Sequence, residues 1–448
     1  MDYKIRKKNI FLLKIQSSLL FFPLVCLLSV SASAQSFSNV IYLPNRIGTG
    51  EIAESIKDMA YWLGKTSAKP FVIKEGISKT SEGIQLINLE DAQLSPAVKK
   101  QLQQDGQSFY LEVKGTQTAR IIGTGTHSFN NGIYTFLHLL GFRWYMPGDV
   151  WTIVPKLNTS SLKIAQVYKP DFQNRFYFGT GGVNAIPGLD GANTFKKDFD
   201  TWNRRNRLST DFAVKGHTGQ AFFKENQKVL AQHPEYFCNN KVNRNGRIDI
   251  SNESVTDLFV EWALGQLKPE DKFPVIGVDP ADGSGGNDDC LPANMPQVKN
   301  WSDKYFWLAN KVAEKAAVKG LNPVVQLYAY ASHAAPPQFD LHKNVYPVII
   351  PYAFQDVADP RQYIELWHKK MKGRAMGIYD YWNITQWSHD LPQFNIYTIP
   401  TKLKLWKLNN ISTINLESTN AKGPMGHAFW LASQMMWDAD QNFEHLYQ

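Results

Sequence analysis

Four carboxylates stand at or beside the ends of apolar stretches, where buried strands would deliver them to a site. Asp279 ends one such stretch and Asp282 follows it in an Ala-Asp-Gly turn. Asp380 lies between aromatic residues, and Glu417 ends an apolar run that has no helical periodicity. A buried carboxylate is costly to ionise unless it is paired, so such a group is either held by a partner or belongs to a site. These four residues are the candidate catalytic groups.

Aromatic and polar side chains follow the same stretches. The candidate substrate-binding residues are His217, Tyr330, Tyr352, Tyr379, Trp382 and His389. Each set has a structural alternative, since an Asp after a strand often caps a loop and aromatic residues on strands usually belong to the core.

Carboxylates combined with aromatic faces are typical of sugar chemistry. One carboxylic acid protonates the leaving oxygen of a glycosidic bond, and a second carboxylate attacks or activates water. Aromatic rings cover the apolar faces of pyranoses. The pattern therefore predicts hydrolysis of a glycosidic bond by Glu417 with Asp279, Asp282 or Asp380. A separation of ~5–5.5 Å predicts retention of configuration, and ~6.5–9.5 Å predicts inversion. A non-catalytic glycan-binding protein on the same scaffold is the alternative.

Motifs for other chemistries are incomplete. Asp279-x-x-Asp282, with Asp288-Asp289 beyond, has some residues of a calcium loop, but the EF-hand alternation and its closing Glu are absent. No Gly-x-Ser-x-Gly elbow occurs. The segment Gly123-Thr124-Gly125 lacks the further residues of a dinucleotide or phosphate loop. We therefore expect neither a metal nor a cofactor.

The candidates need a scaffold of parallel strands that brings their ends together. From residue 171 the chain alternates apolar strands with helical stretches, as βα units do. Strands are predicted at 174–178, 212–216, 275–279, 324–330, 347–352, 375–381 and 413–417, and helices at 257–267, 303–318, 362–371 and 402–408. Seven strands predict a TIM-like (β/α) barrel that is incomplete or irregular, with its site at the carboxyl ends of the strands. A doubly wound open sheet is the alternative.

A smaller α/β domain is predicted ahead of the barrel. Its strands are expected at 40–43, 71–74, 84–88, 108–114 and 120–123, and its helices at 50–64 and 124–140. Pro155 and the polar stretch 158–161 mark a boundary. The predicted domains are an α/β accessory domain at 37–160 and a barrel at 166–448, which gives an α/β fold class.

Two segments of the smaller domain carry a resemblance. Residues 123–134, Gly-Thr-Gly-Thr-His-Ser-Phe-Asn-Asn-Gly-Ile-Tyr, and 140–148, Leu-Gly-Phe-Arg-Trp-Tyr-Met-Pro-Gly, resemble the accessory domain ahead of the barrel in α-glucuronidases and β-hexosaminidases. The chain is also similar to the secreted bacterial family of domain of unknown function 4838. The resemblance implies a structural accessory domain that supports a glycoside-hydrolase-like barrel. It assigns no catalytic residue, because the adjacent Asp-Glu pair typical of hexosaminidases is not found.

The N-terminus predicts export. Five basic residues precede an apolar run at 15–30, and Ala32-Ser33-Ala34 precedes Gln35. This pattern predicts a signal peptide at 1–34 and a periplasmic or extracellular protein. Without that segment the chain has 43 basic and 39 acidic residues. No basic stripe remains, so nucleic acid is not an expected partner. No later segment is apolar enough to span a membrane.

Composition and cysteine content complete the prediction. Hydrophobic residues are 43% and charged residues 20% of the chain, which indicates a globular protein rather than a disordered one. Cys238 and Cys290 lie beyond the predicted signal peptide, and an oxidising compartment permits a bridge between them. The sequence leaves that pairing open, as it does the oligomeric state. A carbohydrate substrate is the expected partner.

Overall fold

A mixed six-stranded sheet forms the N-terminal part of the fold in a computed structural model of the chain. The structure describes residues 38–43, 50–67, 69–76, 82–114, 118–157, 162–179, 192–209, 215–243, 247–271, 273–283, 288–351, 359–382, 396–418 and 426–447. Strands of this part are β1 (Val40–Leu43), β2 (Val72–Glu75), β3 (Gly83–Asn88), β4 (Phe109–Lys114), β5 (Thr118–Gly123), β6 (Arg143–Trp144), β7 (Thr152–Ile153) and β8 (Lys163–Tyr168).

The first sheet has the order β2-β1-β3-β5-β4-β8, and β6 and β7 form a separate antiparallel pair. Strand β4 runs antiparallel to both β5 and β8. The first sheet therefore continues to Tyr168, past the expected boundary at residue 160. This final strand was absent from our sequence prediction, because most of its side chains are exposed or half-buried and give little hydrophobic pattern.

Three helices accompany this sheet: α1 (Glu51–Gly64), α2 (Pro96–Leu102) and α3 (Thr126–Leu139). Helix α1 buries Ile52, Ile56 and Met59, as its helical spacing predicts. Helix α3 lies close against the sheet at Gly132, where a Cβ atom would stand 2.4 Å from the Ile121 side chain. Glycine is therefore required for this approach.

A second sheet of six parallel strands follows. Its strands are β9 (Asn174–Gly179), β10 (Val275–Gly277), β11 (Val324–Ala329), β12 (Val345–Ile349), β13 (Met376–Tyr381) and β14 (Ile411–Ser418). The remaining helices are α4 (Ala192–Arg205), α5 (Gly219–Glu225), α6 (Gln227–Leu230), α7 (Glu253–Leu264), α8 (Trp301–Val318), α9 (Pro360–Met371), α10 (Ile399–Leu408), α11 (Gly426–Trp437) and α12 (Phe443–Tyr447).

The strand order is that of a curled half-barrel. The second sheet runs β10-β11-β12-β13-β14-β9, so β9, the first of its strands in sequence, pairs with β14, the last. A doubly wound sheet would reverse its strand order near the middle, and no reversal occurs among the described strands. The predicted α/β class, a small N-terminal α/β region followed by a barrel-like sheet, is confirmed. The predicted strand at 212–216 lies largely outside the described residues.

Successive side chains of the second sheet face opposite sides. Ile276, Leu327 and Ile378 belong to the large core beneath the helices. Tyr328 and Tyr379 belong to a separate inner cluster, together with Val348 and Ile350. The sheet therefore has a helical side and an inner side, and polar groups on the two sides do not meet.

Arg175 of β9 joins the second sheet to the first part of the fold. The side chain is fully buried, and its guanidinium donates to the carbonyls of Phe172 and Arg207. It also donates to Gln107 Oε1 at 2.9 Å and to Ser209 Oγ at 3.1 Å. Because Gln107 lies just before β4, this one side chain connects both sheets.

We predict that Arg175→Leu lowers the free energy of unfolding by about 3 kcal/mol or more. The substitution leaves several buried acceptors without donors, and each such group retains its desolvation cost. Urea unfolding measures the change. Arg361→Leu is the control, since Arg361 is exposed and pairs with Asp359 on the surface, where loss of a pair costs about 1 kcal/mol or less. Equal losses in the two variants would contradict the prediction.

Candidate active site

Glu417 lies on the inner side of the second sheet, at the carboxyl end of β14. In the pairing of β13 with β14, Tyr379 stands opposite Asn415 and Tyr381 opposite Glu417. The Tyr379 hydroxyl donates to Glu417 Oε2 at 2.7 Å. Burial, and then the Glu417 carboxylate, raise the pKa of Tyr379. Tyr379 therefore keeps its proton, and its hydroxyl remains a hydrogen-bond donor to the Glu417 carboxylate.

A second polar group lies at the same edge of the sheet, beyond β10 and β11. His217 Nε2 is 3.8 Å from Asp282 Oδ1, and the Tyr330 hydroxyl is 3.4 Å from the same oxygen. The Asp282 side chain is 62% exposed. The structure thus brings together three of the residues selected from the sequence, in an open arrangement with long contacts.

Tyrosine rings connect the two groups along the inner side. The His217 ring lies 5.6 Å from the Tyr328 ring, and Tyr328 lies 5.5 Å from Tyr379. Tyr381 continues this row at 5.6 Å from Tyr379. These centroid distances are typical of interacting aromatic pairs. Asp282 and Glu417 therefore border one aromatic surface.

The chain before His217 is held against this surface by the side-chain amide of Gln326. Gln326 Oε1 accepts from the Lys215 N–H at 2.7 Å, and its Nε2 donates to the Lys215 carbonyl at 2.6 Å. A Cβ atom on Gly216 would stand 2.2 Å from the Tyr328 ring, so only glycine fits. These contacts determine where His217 lies.

The loop that carries Asp282 is held by buried charges. Arg247 donates to the carbonyls of Ala281 and Gly283, on both sides of Asp282. Asp289 accepts from Lys304 Nζ, and both side chains are buried.

A disulfide joins Cys238 to Cys290, next to Asp289. The pairing that the sequence left open is therefore formed. It fixes Cys290, beyond the loop that carries Asp282, to Cys238, which precedes α7 in the chain.

Asp279 is buried beneath this surface and continues the sheet. Its Oδ1 accepts from the backbone N–H of Tyr328 at 2.6 Å, where a strand would offer a carbonyl. Its Oδ2 has no hydrogen-bond partner among the described residues. Burial raises the pKa of Asp279 well above its usual range. The carboxyl therefore favours its protonated form and supports the strand end.

Asp380 faces the helical side of the sheet. Its Oδ2 accepts from Lys402 Nζ of α10 at 2.9 Å and from Trp382 Nε1 at 3.0 Å. Asp380 pairs in register with Leu416, which lies in the core beneath the helices. The structure therefore does not bring Asp380 to Glu417. Trp382 is fully buried in the same core, so its ring presents no open face.

Two further sequence-selected residues, Tyr352 and His389, lie outside the described residues. Conversely, the structure adds Arg247, Gln326 and Tyr328 as groups that position the site. The alternation of side chains along β11 was a usable signal for Tyr328, since it shares a face with Tyr330. Arg247 has no such signal, because its contacts are made across the fold.

Three aspartates lie close together elsewhere in the fold. Asp171, Asp438 and Asp440 offer oxygens within 4.8 Å of one another. Lys407 Nζ lies 2.9 Å from Asp171 and 2.5 Å from Asp440. The lysine ammonium supplies the compensating charge, so this cluster gives no support for a bound metal.

Comparison with solved structures shows that this fold also occurs in two carbohydrate-active enzymes. The chain is similar to a family GH115 4-O-methyl-α-glucuronidase with specificity for decorated arabinogalactans, with a TM-score of 0.50 and 14% identity over 90% of this chain and 57% of that one. It is also similar to a GH138 enzyme targeting pectin rhamnogalacturonan II, with a TM-score of 0.50 and 12% identity over 90% of this chain and 51% of that one. The chain thus spans little more than half the length of either enzyme.

Residues 146–448 match the family described as domain of unknown function DUF4838, and the chain belongs to this family. No curated protein matches the sequence. Within the described part of the chain, no helix combines the length and the apolar character that crossing a bilayer requires.

We predict that the stability of the wild type falls relative to Asp279→Asn as the pH rises. An aspartate with a raised pKa in the folded state contributes stability below its unfolded pKa, and this contribution is lost as the pH rises through the folded value. Asparagine keeps the Oδ1 acceptor for Tyr328 and cannot ionise. Urea unfolding across a pH series from about 4 to 9 measures the difference.

Asp257→Asn is the control, because Asp257 is exposed on α7. Its unfolding free energy should follow that of the wild type at every pH. Parallel curves for wild type and Asp279→Asn would show that Asp279 ionises normally in the fold.

Proposed function

We propose that this protein is an exported glycoside hydrolase that acts on a poly- or oligosaccharide with Glu417 and Asp282 as its carboxylate pair. The observation that carries the proposal is the aromatic inner surface, which has the Tyr379–Glu417 hydrogen bond at one end and the His217–Asp282–Tyr330 group at the other. Carboxylates at the carboxyl ends of barrel strands, beside aromatic faces, are what glycosidic bond cleavage requires.

The two carboxylates suit different roles. The hydrogen bond from Tyr379 orients the Glu417 carboxylate, as the role of a nucleophile or general base requires. Asp282 is then the proton donor. Its side chain is exposed, so the sugar that leaves can pass from it into solvent. His217 and Tyr330 offer polar atoms to sugar hydroxyls, and the Tyr330 ring offers an apolar face.

The other two candidates have supporting roles in this proposal. Asp279 holds the end of β10 to β11, directly before the loop that carries Asp282. Asp380 ties β13 to α10 through Lys402. Asp279 is buried beneath the surface between Glu417 and Asp282, and Asp380 faces the helical side of the sheet.

A non-catalytic glycan-binding protein is the second candidate. The loose contacts of Asp282, at 3.4 and 3.8 Å, favour it, because a catalytic carboxyl is usually held in place by closer neighbours. Binding of a glycan needs the aromatic surface and tolerates an open carboxylate.

We predict that Glu417→Gln and Asp282→Asn each lower turnover by about 10²-fold or more, the usual contribution of a positioned acid, base or nucleophile. The assay is a screen of polysaccharides and aryl-glycosides, followed by kinetics on the substrate that the wild type cleaves. Glu365→Gln is the control, because Glu365 is exposed on α9.

The same screen separates the two candidate functions. Binding without cleavage by the wild type would favour the glycan-binding protein. Wild-type turnover in Glu417→Gln would remove Glu417 from the mechanism.

Export is the second part of the proposal, with cleavage after Ala34. The Cys238–Cys290 disulfide supports it, because such bridges form and persist in oxidising compartments. We predict that protein recovered from the periplasm or medium of an expressing bacterium begins at Gln35, as N-terminal sequencing will determine. An intact N-terminus on protein retained in the cytoplasm would contradict export.

A further inference from the structure

A cavity of about 350 Å³ lies between α3, α4 and the start of β9. Arg175 and Phe176 of β9 line it, whereas Glu417 pairs with Phe178 further along that strand. None of the described residues that border the candidate active site belongs to its lining. The volume is near the lower end of the range for small-molecule sites, which is about 300–1,000 Å³, so the cavity suits a small ligand.

Polar side chains of two helices form most of the wall of this cavity. Residues three or four positions apart share one face of a helix, and each helix contributes such a set. The lining residues of α3 are His127, Asn130 and Asn131, and those of α4 are Asp200, Asn203 and Arg204. The two helices therefore present a continuous polar wall to the same space.

Arg204 brings to this wall a guanidinium without a partner. The residue is half-buried, and its side chain makes no hydrogen bond or ion pair in the part of the chain that the structure describes. Its Nε is sealed from solvent, so no ligand can reach that atom. The two terminal nitrogens have no partner and are not sealed, so they are the open end of the group. This end of a guanidinium binds a carboxylate through two parallel hydrogen bonds.

Other open groups suit the remainder of a ligand. The side-chain amide of Asn203 makes no hydrogen bond with a described residue, and its nitrogen is the atom that is not sealed. Asp200 is exposed and forms no ion pair with Arg204. The Phe176 side chain is 38% exposed and adds an aromatic face. Donors, an acceptor and an aromatic face together match the hydroxyl groups and the C–H face of a sugar ring.

The described lining carries more positive than negative charge. Arg175 and Arg204 are its arginines, and Asp200 is its one acidic residue. Arg175 is fully buried and donates to the carbonyls of Phe172 and Arg207, so Arg204 is the arginine that a ligand can reach. An excess of positive charge favours an anionic ligand.

We propose that this cavity binds an acidic sugar, a single pyranose ring that carries a carboxylate. The carboxylate accepts from the terminal nitrogens of Arg204, the Asn203 amide donates to a ring hydroxyl, and Phe176 lies against the C–H face. The site does not depend on the cleavage proposed for Glu417 and Asp282. It holds an acidic residue of a glycan whether or not the chain cleaves that glycan.

Calorimetry on the full chain tests the proposal with sodium D-glucuronate, D-glucose and sodium acetate at constant ionic strength. We expect glucuronate to bind saturably. Glucose lacks the carboxylate and acetate lacks the ring, so each should bind at least about tenfold more weakly. In Arg204→Gln the Kd for glucuronate should rise about tenfold or more, because hydrogen bonds to a charged group are lost. Asn203→Ala, which removes one neutral donor, should raise it about fivefold.

Arg361→Gln is the matched control, since Arg361 is exposed and does not line the cavity. It should bind glucuronate as the wild type does, and so should Glu417→Gln, even if that variant has lost turnover. Calorimetry on the wild type needs no variant to fold, and absence of saturable heat with glucuronate would overturn the proposal. Equal affinity for glucose or for acetate would overturn the assignment of an acidic sugar. An unchanged Kd in Arg204→Gln, or loss of binding in Glu417→Gln, would overturn the assigned site.

Discussion

The alternation of side chains along parallel strands is the constraint on which the candidate site depends. Each residue of the second sheet faces either the helices or the inner side, and register with its neighbour decides which residues share a face. Tyr379, Tyr381 and Glu417 therefore meet, while Asp380, one position from two of them, bonds to α10 instead. Because Asp380 and Tyr379 are neighbours on one strand, their side chains lie on opposite faces of the sheet.

The inner side is built largely of tyrosines, whose hydroxyl groups can donate hydrogen bonds to a carboxylate that is shielded from water. A carboxylate on a buried strand needs donors, and a core of leucine or valine offers none. Tyrosine rings pack as apolar groups and carry a hydroxyl at the tip. Tyr379 uses its hydroxyl on Glu417, and Tyr346 bonds with Ser412 and Thr413. The surface is consequently apolar over the ring faces and polar at the tyrosine hydroxyls.

The sequence predicted most strands and helices because their apolar spacing is set by burial. It also selected Glu417, Tyr379, His217, Tyr330 and Asp282, since each lies near the carboxyl end of a predicted strand or just beyond it. Asp279 and Asp380 carry the same signal for a different reason. One replaces a missing strand carbonyl and the other pairs with a lysine of α10. A polar residue at a strand end shows that a partner exists, and only the fold shows whether that partner is backbone, side chain or ligand.

The first part of the fold contributes to the second through buried arginines rather than through apolar packing alone. Arg205 of α4 forms a two-pronged pair with Asp58 of α1, with both contacts at 2.8 Å. Arg175 reaches Gln107 from β9 in a similar way. Buried charges and donors of this kind are costly when one partner is absent. The first part of the fold therefore supplies the acceptors that the buried arginines of the second part need. This mutual dependence explains why residues 35–448 form one compact unit. Strand β9 carries Arg175 and pairs with β14, so the same interaction that joins the two parts also holds the strand beside Glu417.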